Sequence, residues 1–328
     1  MSDQLVTAKP HRELVTVDGG TVAIPMFDTN AARVYLAQLA PTGRRAQRSA
    51  LARIAAMLGG TIDATPWSQL RYEHVQAILT HFALELAPAT ANRYRAAIRG
   101  VVREAYRLGQ MDADTYQRIL QAKGVRGSRE LAGRALSRLE VARILDAARS
   151  DHTDSGTRDV AILAVGYNAG LRRQEMAGLR YTDVTGCDVT GCDVTALALR
   201  VLGKGNKERT VYLENGAADA LRTWMALRGD ADGALFWRGR KGGRISRGDG
   251  MTAQSIRNVI KRRAAQAGVE DVTPHNFRRT FVTHMLDAGV DLLTVAAMAG
   301  HSDPKTTARY DRRGERAKRS AAARLTLP

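Results

Sequence analysis

The sequence predicts a mainly α-helical chain with one small antiparallel β-sheet, divided into two domains. Three observations carry that prediction. Apolar residues recur at three- and four-residue steps through most of the 328 residues, which is the period of amphipathic helices. One clear β signal interrupts them, at 195–213, where apolar and polar residues alternate on either side of a glycine-bounded tip. Between the helical N-terminal part and the remainder lies KGVRGSRELAGRA, residues 123–135, rich in glycine and arginine and without an apolar period. That is the composition of an interdomain linker.

Residues 1–24 are polar, carry Gly19-Gly20 and show no helical period, so a flexible N-terminal tail is expected. From Asp28 the pattern turns helical through Ala31, Val34, Tyr35 and Leu39, then breaks at Pro41-Thr42-Gly43. In RRAQRSALARIAAMLGG, Leu51, Ile54, Ala55 and Leu58 form the inward stripe and leave Arg44, Arg45 and Arg48 off it. Two further helices are expected near 68–85 and 90–108. The second buries Ile98, Val101, Val102 and Tyr106 and turns Arg93, Arg95 and Arg99 outward. A short helix near 113–121 completes a helical unit over 25–122 with basic outer faces. A charged helix face is usually only solvated, but several in one small unit favour phosphate contact.

After the linker, Ser137 and Glu140 form a capping box that opens a helix to Ala148. The helix expected at 157–168 is apolar nearly all round and belongs in the centre of a core. It stops at Gly170, with Arg172 just beyond and Glu175 on the next turn. The hairpin strands LALRVLG and RTVYL flank KGNKE, whose tip holds Lys204 and Lys207. Ahead of it stands a tandem repeat, TGCDVTGCDV, so Cys187 and Cys192 read as two copies of one residue and not as a metal pair. Helices at 216–227 and 252–268 are separated by a Gly/Arg-rich loop, 238–250. Thr273 caps a helix with Pro274 at its first position, and His275 and Arg278 project from one face of it. A run at 291–298 ends at Gly300, a left-handed cap, and His301 follows at once. Ser302-Asp303-Pro304 then opens a short helix expected to carry Tyr310. The basic tail after Tyr310 has Ala317, Ala321 and Leu325 at helical spacing.

Formal charge is +17 and the isoelectric point near 10.5, with the cations spread along the chain. A polyanionic partner follows, and nucleic acid is the commonest. Two cysteines allow no disulfide framework. No apolar run approaches the roughly 18 residues that span a bilayer, and the N-terminus lacks a secretory core. A soluble, cytoplasmic, nucleoid-associated protein with no membrane partner is expected.

Arg172, Lys204, His275, Arg278, His301 and Tyr310 each have an ordinary explanation when taken singly. In order, they resemble the boxes of the tyrosine recombinases, the family of lambda integrase, Cre and the Xer proteins. NAGLRRQEMAGLRYTDV resembles the first-arginine box, LGKGNKERTVYL the hairpin-lysine box, HNFRRTFVTHML the His-x-x-Arg box and AGHSDPKTTARY the nucleophile box. The resemblance implies Arg172, Lys204, His275, Arg278, His301 and Tyr310 as catalytic residues, with Glu175 in support. It implies a helical core-binding (SAM-like) domain over 25–122 and a tyrosine-recombinase catalytic domain over 136–328, whose 310–328 stretch holds the nucleophile and tail. Departures are the TGCDV repeat, which leaves Lys204 and Lys207 as alternatives for the lysine, and Arg279 and Arg312 where relatives often have histidine.

What the resemblance implies is a site-specific recombinase on double-stranded DNA, working through a 3′-phosphotyrosyl link and a Holliday junction as a homo-tetramer. Integration, excision, transposition and cointegrate or dimer resolution all lie within that class, and an accessory DNA-bending protein is a further partner it admits. Bond energy is conserved in the tyrosyl ester, so no cofactor and no metal ion are expected. The DNA-binding residues expected are Arg44, Arg45, Arg48, Arg93, Arg95 and Lys207. Two rivals share parts of this reading: a type IB topoisomerase-like nicking-closing enzyme, and a non-catalytic sequence-specific DNA-binding protein.

Overall fold

The computed structural model describes residues 12–17, 20–25, 29–127, 133–186, 196–203 and 206–311, with backbone alone for the first two stretches and Thr42. Residue contacts divide the chain into two units, Met1–Leu131 and Ala132–Pro328. The division falls within the segment whose composition marks a linker.

In the first unit, β1 (Arg12–Val17) and β2 (Gly20–Pro25) pair antiparallel in the register Leu14↔Ala23 and Thr16↔Thr21. This replaces part of the expected tail by a hairpin. Its signal is in RELVTV and GTVAIP, two β-branched runs separated by Asp18-Gly19, a dipeptide favoured at two-residue hairpin connections. Five helices follow: α1 (Ala31–Ala37), α2 (Pro41–Met57), α3 (Tyr72–Glu85), α4 (Pro88–Arg107) and α5 (Ala113–Leu120). Proline at the first position of α2 and α4 sits where a helix has no use for the N–H. Asn30 and Asp112 cap α1 and α5 through their side-chain oxygens.

The buried stripes Leu51/Ile54 of α2, Val75/Ile78/Leu79/Phe82 of α3 and Ala97/Ile98/Val101/Val102 of α4 meet in one apolar core. Tyr106 is not part of it. At 41% exposure it lies off the α4 stripe and stacks on Tyr116 at 4.8 Å between centroids. The stripe ends at Ala105, and the next residue is rotated 100° away from the core, so ring stacking takes the place of burial.

The second unit is built round α7 (Asp154–Asn168), which follows α6 (Arg138–Arg149). Ala161 to Gly166 of α7 are all buried, as its nearly continuous apolar surface requires. The same helix also buries Arg158 and Asp159, and Asp159 is held by Arg158, Arg262 and Arg263. A lone buried carboxylate is untenable; this one persists because guanidinium forks saturate it.

After α8 (Arg173–Gly178), strands β3 (Val184–Gly186), β4 (Leu197–Leu202) and β5 (Glu208–Leu213) form an antiparallel sheet in that order, with Leu199 opposite both Val184 and Val211. Helix α9 (Asn215–Arg228) leads to a second hairpin, β6 (Trp237–Gly239) and β7 (Ile245–Gly250), where the sequence suggested only a loop. Its pairing slips between Trp237 and Arg238, and its residues barely alternate, which hides the strands from a period-two reading. The remaining helices are α10 (Ala253–Gln266), α11 (Pro274–Asp287), α12 (Leu292–Ala299) and α13 (Pro304–Ala308). The fold is thus mainly helical with a small antiparallel sheet. No described helix is long and apolar enough to cross a membrane.

Candidate active site

The ends of α7, α8, α10, α11 and α12 converge with the β4–β5 hairpin. Helix α11 starts on Pro274, and the Asn276 side chain accepts the Thr273 N–H at 3.0 Å. The capping oxygen therefore comes from Asn276 and not from Thr273, whose hydroxyl donates to the same Asn276 oxygen. This start aims His275 and Arg278 into a cavity of about 340 Å³, which Arg172 and Arg257 also line. Arg278 is buried; its Nη1 donates to the Gly170 carbonyl at 2.7 Å, while its Nη2 is buried without a hydrogen-bond partner among the described residues. An unsatisfied buried donor costs about 1–3 kcal/mol, more when charged, and an anionic oxygen in the cavity would remove that penalty.

Arg172 caps α8, and its Nη1 meets Glu175 Oε1 at 2.7 Å while its Nη2 donates to the Gly300 carbonyl at 3.1 Å. Arg209 of β5 approaches the same carboxylate, Nη2 to Oε2 at 2.8 Å, and donates from Nε to the Met298 carbonyl at 3.0 Å. One carboxylate thus fixes two guanidiniums, and both in turn hold the end of α12. Burial alone would raise the Glu175 pKa, but the hydrogen bonds from Arg209 and the Arg172 backbone outweigh it and leave the carboxyl below its usual range.

Gly300 takes the left-handed conformation (φ 66°) that stops α12 and turns the chain into His301. Nδ1 of His301 lies 2.7 Å from the Thr307 hydroxyl, and its ring stacks on Tyr310, 11° from parallel with centroids 6.1 Å apart. Tyr310 sits beyond α13, not on it: the helix ends at Ala308, and a turn bond from the Tyr310 N–H to the Thr307 carbonyl sets the ring. The Tyr310 hydroxyl is 3.3 Å from His275 Nε2, a span that catalytic pairs commonly shorten once substrate is bound.

Burial first, then the guanidiniums of Arg278, Arg172 and Arg209, push His301 down to about 4. Burial, then Arg278 and Arg279, also lower His275. Both imidazoles are therefore neutral at pH 7. Burial, with Arg172 beside it, lowers Arg278 to about 10, so it stays a cation. A neutral His275 can accept the tyrosine proton, and that ability is lost as pH falls through its pKa. The rate of tyrosine attack should therefore decline in acid with a midpoint below 6.5 and stay level through neutrality. Single-turnover rates at a series of pH values check this, and a midpoint above 6.5 would exclude His275 as the acceptor.

Of the expected catalytic residues and their supporter Glu175, all but Lys204 can be placed. Arg172, Glu175, His275, Arg278, His301 and Tyr310 lie together. Lys204, Cys187, Cys192, Arg312 and the tail positions Ala317, Ala321 and Leu325 lie outside the described residues. Lys207 is exposed beside the hairpin tip, and its carbonyl accepts the Gly203 N–H at 2.8 Å. In the first unit Arg45, Arg48 and Arg93 are exposed, whereas Arg95 donates to the Ala122 carbonyl and Arg44 to the carbonyls of Ala37 and Leu39. Sequence reasoning missed Arg209, Arg257 and Thr307. For Arg209 there was a signal: strand alternation puts it on the inward face with Val211 and Leu213, where an arginine implies a buried counter-charge.

These helix ends, the hairpin and a turn therefore surround one tyrosine with guanidiniums and imidazoles, an arrangement suited to attack on a phosphodiester. The model of the family described as "Phage integrase family" matches residues 134–316. A protein named Tyrosine recombinase XerC from Corynebacterium efficiens is 35% identical over 225 residues, 68% of this chain and 66% of that protein. A protein of the same name from Pelobacter propionicus is 29% identical over 266 residues, 80% of each chain. Among solved structures, a lambda integrase tetramer bound to a Holliday junction superposes with TM-score 0.60 at 15% identity, over 87% of this chain and 76% of that one. The chain belongs to the phage integrase family, the tyrosine recombinases.

Proposed function

We propose that this protein cuts and rejoins duplex DNA at a specific site, with Tyr310 as nucleophile. The single observation carrying this is the Tyr310 hydroxyl 3.3 Å from Nε2 of His275, a residue on the wall of a cavity that Arg172 and Arg278 also line. In the proposed step the Tyr310 oxygen bonds to phosphorus, the bond from phosphorus to the 5′ oxygen breaks, and a 3′-phosphotyrosyl ester remains. His275 takes the phenolic proton. A lysine at the hairpin tip, Lys204 or Lys207, protonates the leaving 5′ oxygen. Arg172 and Arg278 stabilise charge on the pentacoordinate phosphorus, Glu175 orients Arg172, and His301 hydrogen-bonds the phosphate. Return of the 5′ hydroxyl of a second strand reseals the backbone.

The basic first unit, 25–122, supplies sequence-independent grip, and 136–328 carries the chemistry. The kinship with proteins named XerC, and the fold shared with a lambda integrase tetramer on a Holliday junction, support strand exchange by a tetramer. Such a protein acts on DNA in the cytoplasm. The β6–β7 hairpin adds Arg238, Lys241, Arg244 and Arg247, all exposed and with no ion pair among the described residues.

A nicked substrate that traps the tyrosyl ester tests the chemistry, because a non-catalytic binder forms no adduct. Exchange between two sites, as against relaxation alone, separates recombinase from nicking-closing enzyme. For the grip, replacing Arg93 or Arg238 should flatten the slope of log affinity against log salt by about one unit and weaken all sequences alike. Arg95→Ala should instead lower stability by about 1 kcal/mol through the lost Ala122 contact. An unchanged slope for Arg93 would place it off the DNA.

A further inference from the structure

One face of α11 points away from the cavity, and it is occupied by the chain that enters the second unit. Asn276 Nδ2 donates to the Arg134 carbonyl at 3.0 Å, and the Leu136 N–H donates to the Thr280 hydroxyl at 2.8 Å. Between them Arg279, 3% exposed, donates from Nη1 to the Gly133 carbonyl. The same guanidinium lies over the Tyr310 ring, 5.6 Å from its centroid. Gly133 has φ +87°, and a Cβ there would stand 3.1 Å from the Asn276 amide nitrogen. The carbonyl that Arg279 grips therefore depends on a backbone conformation that residues with side chains rarely adopt.

Tyr310 needs such support. Among the described residues it lies past the end of α13, where a turn bond to the Thr307 carbonyl holds its backbone. His301 stacks against the ring, His275 approaches its hydroxyl, and Arg279 covers it. Of the three, only Arg279 is bonded to the described part of the interdomain segment.

We propose that Arg279 is a positioning residue for Tyr310, coupling the chain that enters the second unit, through the Gly133 carbonyl, to the orientation of the attacking hydroxyl. This rests on Tyr310 being the nucleophile. A misplacement of about 1 Å costs on the order of 100-fold in rate, so a small change at Gly133 suffices to gate attack.

The experiment uses the full-length protein. Arg279→Gln should bind a half-site within about twofold of the parent, while single-turnover adduct formation on a nicked substrate falls on the order of 10- to 100-fold. A second readout separates positioning from general support of the pocket. In a Tyr310→Phe background, hydrogen peroxide supplies the nucleophile: its oxygen bonds to phosphorus, the bond to the 5′ oxygen breaks, and the 5′ end leaves as the hydroxyl. That cleavage uses Arg172 and Arg278 but no tyrosine oxygen, and adding Arg279→Gln should leave it unchanged. An equal fall in peroxide cleavage and adduct formation would overturn the proposal, as would an Arg279→Gln protein with undiminished adduct formation.

Should Arg279→Gln fold poorly, Gly133→Ala keeps the arginine and disturbs its anchor, the Asn276 amide being the other group that the new Cβ meets. It should slow adduct formation several-fold and spare peroxide cleavage; no slowing would sink the coupling. Arg279→Lys, which keeps a cation and a donor, should recover more activity than Arg279→Met, and the reverse order would mean that the site needs only volume. Adduct formation by Tyr310→Phe itself would be a different failure, that of the nucleophile assignment.

Discussion

Tyr310→Phe is expected to abolish covalent adduct formation, to below about 10⁻⁴ of the parent rate, because no other group replaces the lost oxygen. Binding to a half-site should stay nearly unchanged. The ring remains, so the stacking on His301 and the cover from Arg279 survive. Only one long contact is removed, the 3.3 Å approach to His275, so stability should shift by less than about 1 kcal/mol. Adduct yield on a nicked substrate, read beside a binding titration, checks both halves. If adduct persisted, attention would turn to Tyr181 and Tyr212. Neither is well placed: Tyr181 lies under the Arg228 guanidinium at 4.9 Å, and Tyr212 is 40% exposed on the outer face of β5.

Arg278→Gln carries the second largest effect. Its Nη2 is a buried donor with no hydrogen-bond partner among the described residues, and the proposed function sets it against a non-bridging phosphate oxygen. Donors aimed at developing charge typically contribute about 10²–10³ in rate, and adduct formation should fall by that much. Glutamine can still reach the Gly170 carbonyl, so α11 and α7 should remain together. A second signature accompanies the loss. Arg278 is one of the cations that depress His275, and without it the imidazolium is favoured. The acid limb of the pH–rate profile should therefore move up towards 6.5. A lower rate with an unmoved acid limb would show that the limb belongs to another group.

The helical unit was legible because its signals are local. Apolar stripes depend on neighbours within a turn or two, and the helices follow them, although α2 begins at Pro41, where the sequence pattern suggests a break. The candidate site residues stand out for a different reason: their order and spacing resemble those of a known family, whereas single-residue chemistry alone leaves each with an ordinary explanation. Where the pattern was short or irregular, local reading failed. Strand β3 has only three residues, and β6–β7 is broken by a register slip. The β1–β2 hairpin was passed over although Asp18-Gly19 stands between two β-branched runs. Its polar flanks suggested a tail, and pairing is decided across strands rather than along them.

The sequence by itself determined the class of fold and pointed to a linker at 123–135 and to the candidate residues for phosphate chemistry, because those rest on periodicity, composition and ordered motifs. Only the tertiary structure decided how the charges are used. Arg209 and Arg172 share Glu175 from elements 34 and 3 residues away along the chain. Arg95 is bonded to a carbonyl 27 residues on, and Arg279 to one 146 residues back. An arginine looks alike in sequence whether it grips DNA, a buried carboxylate or its own backbone. The choice is made by which acceptors folding brings within about 3 Å, and that depends on packing across the whole unit.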